Sequence, residues 1–419
     1  MVVPLDTGDT AWVLVATAFV LFMTPGLALF YGGMVRGKNV LAMLMQNVFC
    51  MGLIGVLWAV VGFSLAFGDA GGLIGDFDFA FMADVMKFDA DGNLVNELPG
   101  LDFLTIPPIV FFGFQMMFAI ITPALISGAS ADRLKFKSYA VFIALWSVLV
   151  YSPLAHWVFS PTGWLFKRGA LDFAGGTAIH INAGIAALVL VALVGKRRGY
   201  PDTPMQPHNL PMTMIGTGIL WFGWFGFNAG SAGAANPQAA QALINTSLAA
   251  SAAMLGWLLV ERIKDGHATT LGGASGAVAG LVAITPCAGF VGGMAPIAIG
   301  AIAGVVCYLA IGIKRALKLD DSLDVIAVHL VGGVVGSLLL GFFGDASATG
   351  IGTDGVFFGG GGDLLVDQLT AVGAALVYSA VVTFIIAKAV DLVLGLRVTD
   401  DDEDTGLDLT QHAESAYAA

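Results

Sequence analysis

Two histidines stand inside strongly apolar segments of the sequence, where ionisable side chains are rare. His180 lies in the stretch DFAGGTAIHINAGIAALV, eight residues after Asp172, and His329 lies in DVIAVHLVGGVVGSLL. An ionisable side chain inside a membrane span is energetically costly and by default marks a substrate pathway or a proton relay. Imidazole titrates close to neutral pH and therefore suits proton transfer. One such histidine could be a packing residue, but two at matching places favour a functional role.

A metal site is the other use that two histidines suggest. A zinc ion takes at least three protein ligands, whereas no cysteine or carboxylate stands at ligand spacing from either residue. The remaining histidines fall near span ends, in loops or in the tail: His156, His208, His267 and His412. The sequence therefore predicts neither a bound metal nor a cofactor.

The composition is that of an integral membrane protein. Of 419 residues, 57% are hydrophobic and only 11% are charged, with a mean hydropathy of +0.86; soluble domains carry about 25% charged residues. The 56 glycines suit close helix packing in lipid, where small residues let helices approach. The net charge of -12 argues against nucleic acid as a partner.

Apolar runs long enough to span a bilayer, roughly 20 residues each, occur eleven times along the chain. The eighth and ninth are separated only by a short turn near Ala288. We therefore predict an all-α integral membrane protein with eleven transmembrane helices, at about residues 11–31, 40–67, 103–127, 138–159, 174–194, 211–234, 239–260, 270–287, 289–311, 325–344 and 366–394.

Lysine and arginine concentrate in alternate loops, which sets the orientation because these residues favour the cytoplasmic side. They follow spans one, three, five, seven, nine and eleven, whereas the alternate loops carry only Lys87, Lys167 and Arg168. We therefore predict a protein of the cell (plasma) membrane, with its N-terminus outside the cell and its C-terminus in the cytoplasm.

Spans one to five and six to ten resemble each other as two halves, at about residues 10–198 and 211–345. Spans five and ten both carry an aspartate, an apolar stretch, a histidine and a run of small residues. Because each half has an odd number of spans, the second half must be inverted, which is a transporter signature with the pathway at the repeat interface. The eleventh helix, about 366–394, completes a transmembrane domain of residues 1–395, and a tail covers 396–419.

Asp172 is separated from its helix by only a few residues. An anionic group near a helix N-terminus can be held by free backbone N–H groups and by the helix dipole. We therefore expect Asp172 to be a structural cap as well as an electrostatic aid to a cation. Asp324 is the candidate for the same cap before span ten.

Aromatic residues are concentrated in three spans. Span three reads FFGFQMMFAIITPALISGA, span four contains ALWSVLVYSPLAHW, and span six reads ILWFGWFGFNAGSAGAAN. Aromatic faces attract a desolvated cation, although lipid contact or an interfacial belt is an equally ordinary use of such residues. The glycines and asparagine between the rings of span six favour packing inside the bundle.

These stretches together resemble the Amt/Mep/Rh family of ammonium transporters, on the Amt branch, over essentially the whole chain. The resemblance rests on DFAGGTAIHINAGIAAL, WFGWFGFNAGSAGAAN, DVIAVHLVGGVVGSL and the tail DLVLGLRVTDDDEDTGLDLTQHAESAY. It implies a transporter of ammonium and methylammonium rather than an enzyme, so no catalytic residue is expected. It also implies a homotrimer in membrane lipid, with one pore in each subunit.

The resemblance also assigns roles to single residues. It implies an outer recruitment site where Trp146 and Phe118 contact ammonium through cation–π interaction and the Ser231 hydroxyl accepts a hydrogen bond. Asp172 would be the aspartate behind that site. Phe118 and Phe227 would form the stacked pair that closes the pore below.

Further positions match the family's pore and regulatory surface. Phe114 and Gln115 would lie by the entrance, and His180 and His329 would be the twin histidines that share a proton between ring nitrogens. The tail would take part in regulation by a PII-type (GlnK-like) signal protein at the cytosolic face. Asp132 stands where a glutamate is expected, which bears only on contacts of that loop with the tail or the regulator.

The implied mechanism separates recognition from passage. Ammonium and potassium have similar size and equal charge, but only ammonium can lose a proton and cross an apolar pore as a neutral molecule. We expect the histidine pair to relay that proton, so that transport is electrogenic. Three other functions stay open: an ammonium sensor (transceptor) whose tail passes on a signal, a neutral ammonia gas channel nearer the Rh branch, and an intramembrane enzyme with histidine ligands.

Overall fold

The chain folds into a bundle of long helices, and the computed structural model describes residues 1–417. Eleven apolar helices follow one another in this part of the chain, and ten of them are long enough to cross a membrane. Their bounds are α1 Thr7–Met34, α2 Gly37–Phe67, α3 Pro108–Ser127, α4 136–159, α5 Gly176–Val194, α6 Leu210–Gly230, α7 Pro237–Asp265, α8 Thr270–Ile284, α9 Ala295–Ala316, α10 Ile326–Phe343 and α11 Asp363–Leu394.

The predicted all-α membrane fold is confirmed, with one helix shorter than expected. α8 has only 15 residues, less than a full span, and residues 285–294 separate it from α9. Glycines let α8 pack closely on α7: Gly276 lies against Trp257, and Gly280 lies against Ala253. A helix buried in this way does not need the full length of the bilayer.

The long connection between α2 and α3 covers one end of the bundle. It contains a short antiparallel ladder in which Lys87–Phe88 pairs with Leu94–Val95. The N-terminal residues join it, because the Val3 N–H donates to the Leu94 carbonyl oxygen at 2.9 Å. Phe79 is buried against the helix ends, so the connection is tied to the main core.

The two histidine helices begin alike and cross each other at glycines. Each starts with a π turn, Gly176–Ile181 in α5 and Ile326–Val331 in α10, a wide turn that is frequent at functional sites. Gly184 of α5 then packs on α10, and Gly333 of α10 packs on α5. This reciprocal crossing brings the two histidine-bearing turns together in the middle of the bundle.

The C-terminal segment packs on the opposite end of the bundle from the N-terminus. It forms two short helices, α12 Asp400–Thr405 and α13 Leu407–His412. The Glu403 side chain is fully buried there and accepts hydrogen bonds from Arg397 at 2.6 Å and from the Arg198 backbone N–H at 2.7 Å. The predicted tail is thus ordered along the face, while its last two residues, 418–419, lie outside the described residues.

Asp132 is a meeting point on this face rather than an isolated loop residue. Its carboxylate accepts from Arg36 at 2.9 Å and from Asn39 at 2.6 Å, and it lies 3.6 Å from Arg197. Arg197 in turn donates to Asp320 at 2.7 and 2.9 Å. Although its side chain is shorter than the expected glutamate, Asp132 therefore still links the first half of the chain to the second and to the neighbourhood of the tail.

Candidate functional site

A cavity of about 330 Å³ lies at the end of the bundle that carries the N-terminus. Its wall is built from α1, α3 and the last turn of α4, from the start of the loop after α6, and from the segments before α3 and α5. The wall includes five of the residues proposed from the sequence: Phe114, Gln115, Phe118, Asp172 and Ser231. A small cation in this cavity would meet aromatic faces, one hydroxyl group and one carboxylate.

Ser231 is oriented to accept a hydrogen bond from a guest in the cavity. Its own hydroxyl hydrogen is donated to the Phe227 carbonyl oxygen, one turn earlier in the chain, at 2.8 Å. Because a hydroxyl has one hydrogen and two lone pairs, only lone pairs are left for the guest. This arrangement favours a molecule that carries N–H groups.

Phe118 and Phe227 close the floor of the cavity. Their ring centroids are 4.5 Å apart and their planes are inclined at 59°, so the pair is tilted rather than stacked as the family resemblance implied. Offset and tilted contacts are the preferred aromatic arrangements. Phe118 lines the cavity, whereas Phe227 lines the space beneath it.

Beneath this phenylalanine pair the passage narrows to a space of about 10 Å³, roughly the room that one water-sized molecule needs. The lining is almost entirely apolar and includes Leu27, Ile121, Leu220 and Val278. Such surroundings strongly penalise an ion. Within residues 1–417, no three His, Cys, Asp or Glu side chains gather where they could hold a metal.

His180 and His329 meet across this narrow space. Their Nδ1 atoms are 3.2 Å apart and their ring centroids 5.3 Å apart, and both side chains are at most 3% exposed. Either ring can donate the single hydrogen that such a contact needs. Both rings line the narrow space, and among the described residues the buried His180 Nε2 atom has no hydrogen-bond partner.

Trp224 belongs to the same narrow space, although the sequence reasoning gave it no role. Its ring lies 5.4 Å from that of His180, nearly parallel at 19°, and its indole N–H is held by the Thr285 hydroxyl at 2.9 Å. Trp224 precedes Phe227 by three residues and so shares its helix face. This three-residue spacing from Phe227 is the sequence feature that could have identified Trp224 as a residue of the site.

Asp172 caps α5 in addition to lining the cavity. Its two carboxylate oxygens accept four backbone N–H groups, from residues 175 to 178, at 2.6–3.1 Å. These are the donors that a helix start otherwise leaves unpaired. The side chain is therefore fixed in direction, with its charge next to the cavity.

The matching cap of α10 is Asp321, and the prediction of Asp324 was wrong. Asp321 accepts two backbone N–H groups of the α10 start, at 2.8 and 3.2 Å, whereas Asp324 pairs with Lys314 at 2.6 Å. Asp321 precedes its histidine by eight residues, as Asp172 does. The eight-residue spacing to the histidine therefore identifies the cap in both helices. The likeness between the apolar stretches that follow Asp172 and Asp324 does not.

Trp146 does not lie where the family resemblance implied. It sits in the middle of α4, fully buried, and its indole N–H donates to Thr383 of α11 at 2.9 Å. Among residues 1–417, the cavity wall includes Phe159 from the last turn of α4 and does not include Trp146. Only the end of α4 reaches the cavity, so the structure does not place Trp146 at the predicted recruitment site.

Comparison with known proteins gives the family. The family model described as Ammonium Transporter Family matches residues 11–417. The chain belongs to this family. Among its relatives, the ammonium transporter of Mycobacterium tuberculosis is 50% identical over 98% of this chain and 90% of that protein. The ammonium transporter of Bacillus subtilis is 45% identical over 99% of each chain.

Solved structures of Amt and Mep proteins have the same fold as this transporter. The crystal structure of Candida albicans Mep2 gives a TM-score of 0.87 at 34% identity, over 95% of this chain and 88% of that chain. A structure described as Sensor Amt Protein gives 0.85 at 31% identity, over 96% and 98%. The expected resemblance is confirmed: the chain is a multi-pass membrane protein of the ammonium transporter family and not an enzyme.

Proposed function

We propose that the transporter takes ammonium into the cavity, removes one proton near the phenylalanine pair and passes ammonia through the histidine-lined space. One observation carries this proposal. Two buried histidines lie with their Nδ1 atoms 3.2 Å apart in an otherwise apolar passage, directly beneath a closed aromatic pair. A passage of this kind suits a neutral guest and a separately carried proton.

The cavity offers ammonium three kinds of attraction. The rings of Phe114, Phe118 and Phe159 provide cation–π contact, with Phe159 in the place that was first given to Trp146. The Ser231 lone pairs accept an N–H of the guest. Asp172 adds a negative charge at the wall, while its hydrogen bonds to the backbone keep it from becoming a tight ligand.

Selectivity follows from the closed floor of the cavity. Phe118 and Phe227 exclude water from the space below, and the two imidazoles in its otherwise largely apolar lining are too few polar groups to replace the hydration shell of an ion. An unpaired ion in such surroundings is strongly disfavoured. Ammonium avoids this penalty by giving up one proton, which the histidine pair carries separately, whereas potassium has no neutral form.

The histidine pair carries the proton without a lasting change in its own charge. A proton that arrives at the Nε2 atom of one ring lets the hydrogen shared between the Nδ1 atoms move to the other ring. The second ring then releases the hydrogen on its Nε2 atom. Because His180 and His329 are coupled in this way, they titrate as one unit. One ammonia and one proton cross together, and transport is electrogenic.

The same proposal includes the orientation of the subunit in the membrane, its internal symmetry and its assembly. The C-terminal face, where Arg36, Arg133 and Arg197 lie, is cytoplasmic, and the N-terminus is outside. The two halves, about 10–198 and 211–345, are inverted repeats, which the paired caps and π turns of α5 and α10 support. Three subunits form a homotrimer in the cell membrane, and the ordered tail meets a PII-type (GlnK-like) signal protein.

Reconstituted liposomes test the transport mechanism directly. An ammonium pulse is expected to give a current that an equal potassium pulse does not give. The double variant His180→Ala, His329→Ala is expected to lose this current. The control His156→Ala removes another buried histidine, which contacts the Ala66 carbonyl oxygen at 3.0 Å away from the pair, and should keep it. A potassium current equal to that of ammonium would refute the proposal.

A sensor is the second candidate, because one similar solved structure is described as Sensor Amt Protein. A sensor would bind methylammonium without taking it up. Uptake of labelled methylammonium into the same liposomes separates the two functions. Uptake without any current would instead support a neutral ammonia gas channel.

A further inference from the structure

We infer that Gln368 of α11 is a positioning residue for the wall of the substrate cavity, an inference that rests on the proposed function. Gln368 is fully buried in the bundle. A carboxamide is unfavourable in apolar surroundings unless its hydrogen bonds are made. The partners that it uses therefore show what this side chain holds in place.

The carboxamide of Gln368 is fully engaged by two backbone segments. Its Oε1 atom accepts the Leu171 N–H at 2.8 Å, and its Nε2 atom donates to the Leu171 carbonyl oxygen at 2.8 Å. The second Nε2 hydrogen reaches the Ser337 carbonyl oxygen of α10 at 3.1 Å. Gln368 thus bonds both the N–H and the carbonyl oxygen of Leu171, as a neighbouring β-strand would. It also ties the Leu171 segment to α10.

The segment that Gln368 holds is part of the cavity. Leu171, Asp172 and Phe173 all line it, and they belong to a stretch before α5 that has no helical hydrogen bonds of its own. The next backbone tie is the Phe173 N–H, which donates to the Pro286 carbonyl oxygen at 3.1 Å. Gln368 therefore fixes the wall one residue before Asp172, which lines the cavity.

The separation of the two histidines does not depend on this side chain. That separation is set by the crossing of α5 and α10 at Gly184 and Gly333, further along both helices. Loss of the Gln368 contacts would thus loosen the recruitment cavity and leave the relay in place. The expected signature is weaker apparent affinity for ammonium at nearly unchanged maximal current.

Thr383 offers a matched control on the same helix. It is also fully buried, and its hydroxyl accepts the indole N–H of Trp146 at 2.9 Å. It lies 15 residues after Gln368, on a similar face of α11 but about 22 Å along the axis. Thr383→Val removes a buried hydrogen bond of α11 without touching the cavity wall.

The experiment measures ammonium currents in liposomes over a range of concentrations. Gln368→Met keeps the volume and removes three hydrogen bonds, so we expect the half-saturating ammonium concentration to rise about tenfold, with the maximal current within about twofold of wild type. Gln368→Asn keeps an amide that is one methylene too short and should give a smaller rise in the same direction. Thr383→Val should leave the half-saturating concentration within about twofold, although it lowers the melting temperature.

Two results would overturn the inference. One is a folded Gln368→Met protein whose half-saturating concentration equals that of wild type, and the other is an equal shift in Thr383→Val. If Gln368→Met does not fold, Gln368→Asn decides by the same comparison. A wild-type protein without any ammonium current would contradict the proposed function instead, so the two failures are distinguishable.

Discussion

Gly184 of α5 lies directly against the backbone of Leu330 in α10, and this contact sets how closely the two histidine helices approach. A methyl group on Gly184 would come within 2.6 Å of the Leu330 Cα atom. His180 stands one turn before Gly184, and His329 immediately precedes Leu330. The close approach of the two backbones is therefore what places the two imidazole rings in contact.

Gly184→Ala is expected to separate the histidines. The new methyl group must push α5 away from α10, and overpacking of this kind typically costs about 1–3 kcal/mol. We expect a lower melting temperature and an ammonium current reduced by at least about tenfold, because the hydrogen bond between the Nδ1 atoms fails steeply with distance. Gly373→Ala on α11, where the added methyl group meets nothing within 4 Å, should leave the current unchanged and should not lower the melting temperature. An unaltered current in Gly184→Ala would contradict this account.

Phe159, and not Trp146, is expected to control the apparent affinity for ammonium. Phe159→Leu keeps an apolar side chain but removes the aromatic face, so the half-saturating concentration should rise about fivefold, corresponding to roughly 1 kcal/mol of cation–π attraction. Trp146→Phe should leave that concentration within about twofold and lose about 1 kcal/mol of stability with the hydrogen bond to Thr383. Currents at graded ammonium concentrations and melting temperatures distinguish the two effects. A larger affinity loss in Trp146→Phe would restore the original assignment.

The two caps are expected to differ in function but not in stability. Asp172→Asn and Asp321→Asn each turn an amide NH₂ toward backbone N–H donors, which should destabilise the fold by about 1–3 kcal/mol. Only Asp172 lines the cavity, so only its variant should also raise the half-saturating ammonium concentration. Equal affinity changes in both variants would show that the Asp172 charge acts through structure alone.

The tail is expected to resist proteolysis until Glu403 is altered. Glu403→Gln removes the charge that its bonds to Arg397 and to the Arg198 backbone depend on, and hydrogen bonds to charged groups contribute roughly 1.5–3 kcal/mol. We expect proteinase K to trim the variant's tail at least about tenfold faster than that of wild type in detergent. Asp400→Asn serves as the control, since Asp400 is 68% exposed and exposed pairs contribute about 0–1 kcal/mol. Equally rapid trimming of the wild type would indicate a disordered tail.

Stability is expected to fall at acidic pH partly through Asp320. Burial by itself would raise the pKa of this carboxyl, but the hydrogen bonds and charges of Arg197 and Arg133 outweigh it and hold the pKa below its ordinary value. The pair therefore stabilises the fold above about pH 4, the usual pKa of an unfolded aspartate, and this contribution is lost as pH falls through the lower pKa of the folded state. Asp320→Asn should flatten the decline of melting temperature in this acid range. If the melting temperature of Asp320→Asn declines with falling pH as steeply as that of wild type, the decline is due to other carboxyl groups.

Several features of the site could be predicted from residue order alone. The eight-residue spacing from Asp172 to His180, and the second intramembrane histidine at His329, marked the pathway without any coordinates. The cap at Asp172 followed from its place just before a helix. The same reasoning misplaced the second cap by three residues, because several acidic residues precede α10 and their side-chain directions are not written in the sequence.

The aromatic wall shows the limit of such reasoning. From Trp146 to its end, α4 offers four aromatic candidates within one apolar run, Trp146, Tyr151, Trp157 and Phe159, and their order in the sequence does not say which of them faces the cavity. Which of them faces the cavity depends on where the helix ends and on its rotation, and the hydrogen bond from Trp146 to Thr383 of α11 settles that rotation from outside α4.

The sequence by itself determined the membrane class, the places of the helices and the family, because these depend on the length of apolar runs and on short motifs. The tertiary structure alone decided which side chains meet: His180 with His329, Phe118 with Phe227 at a tilt, and Gln368 with Leu171. The physical reason is that burial of a segment in the membrane depends on the composition of that segment alone. A hydrogen bond or a ring contact instead requires two distant segments to cross at one angle and at one distance. Glycines at the crossing fix both.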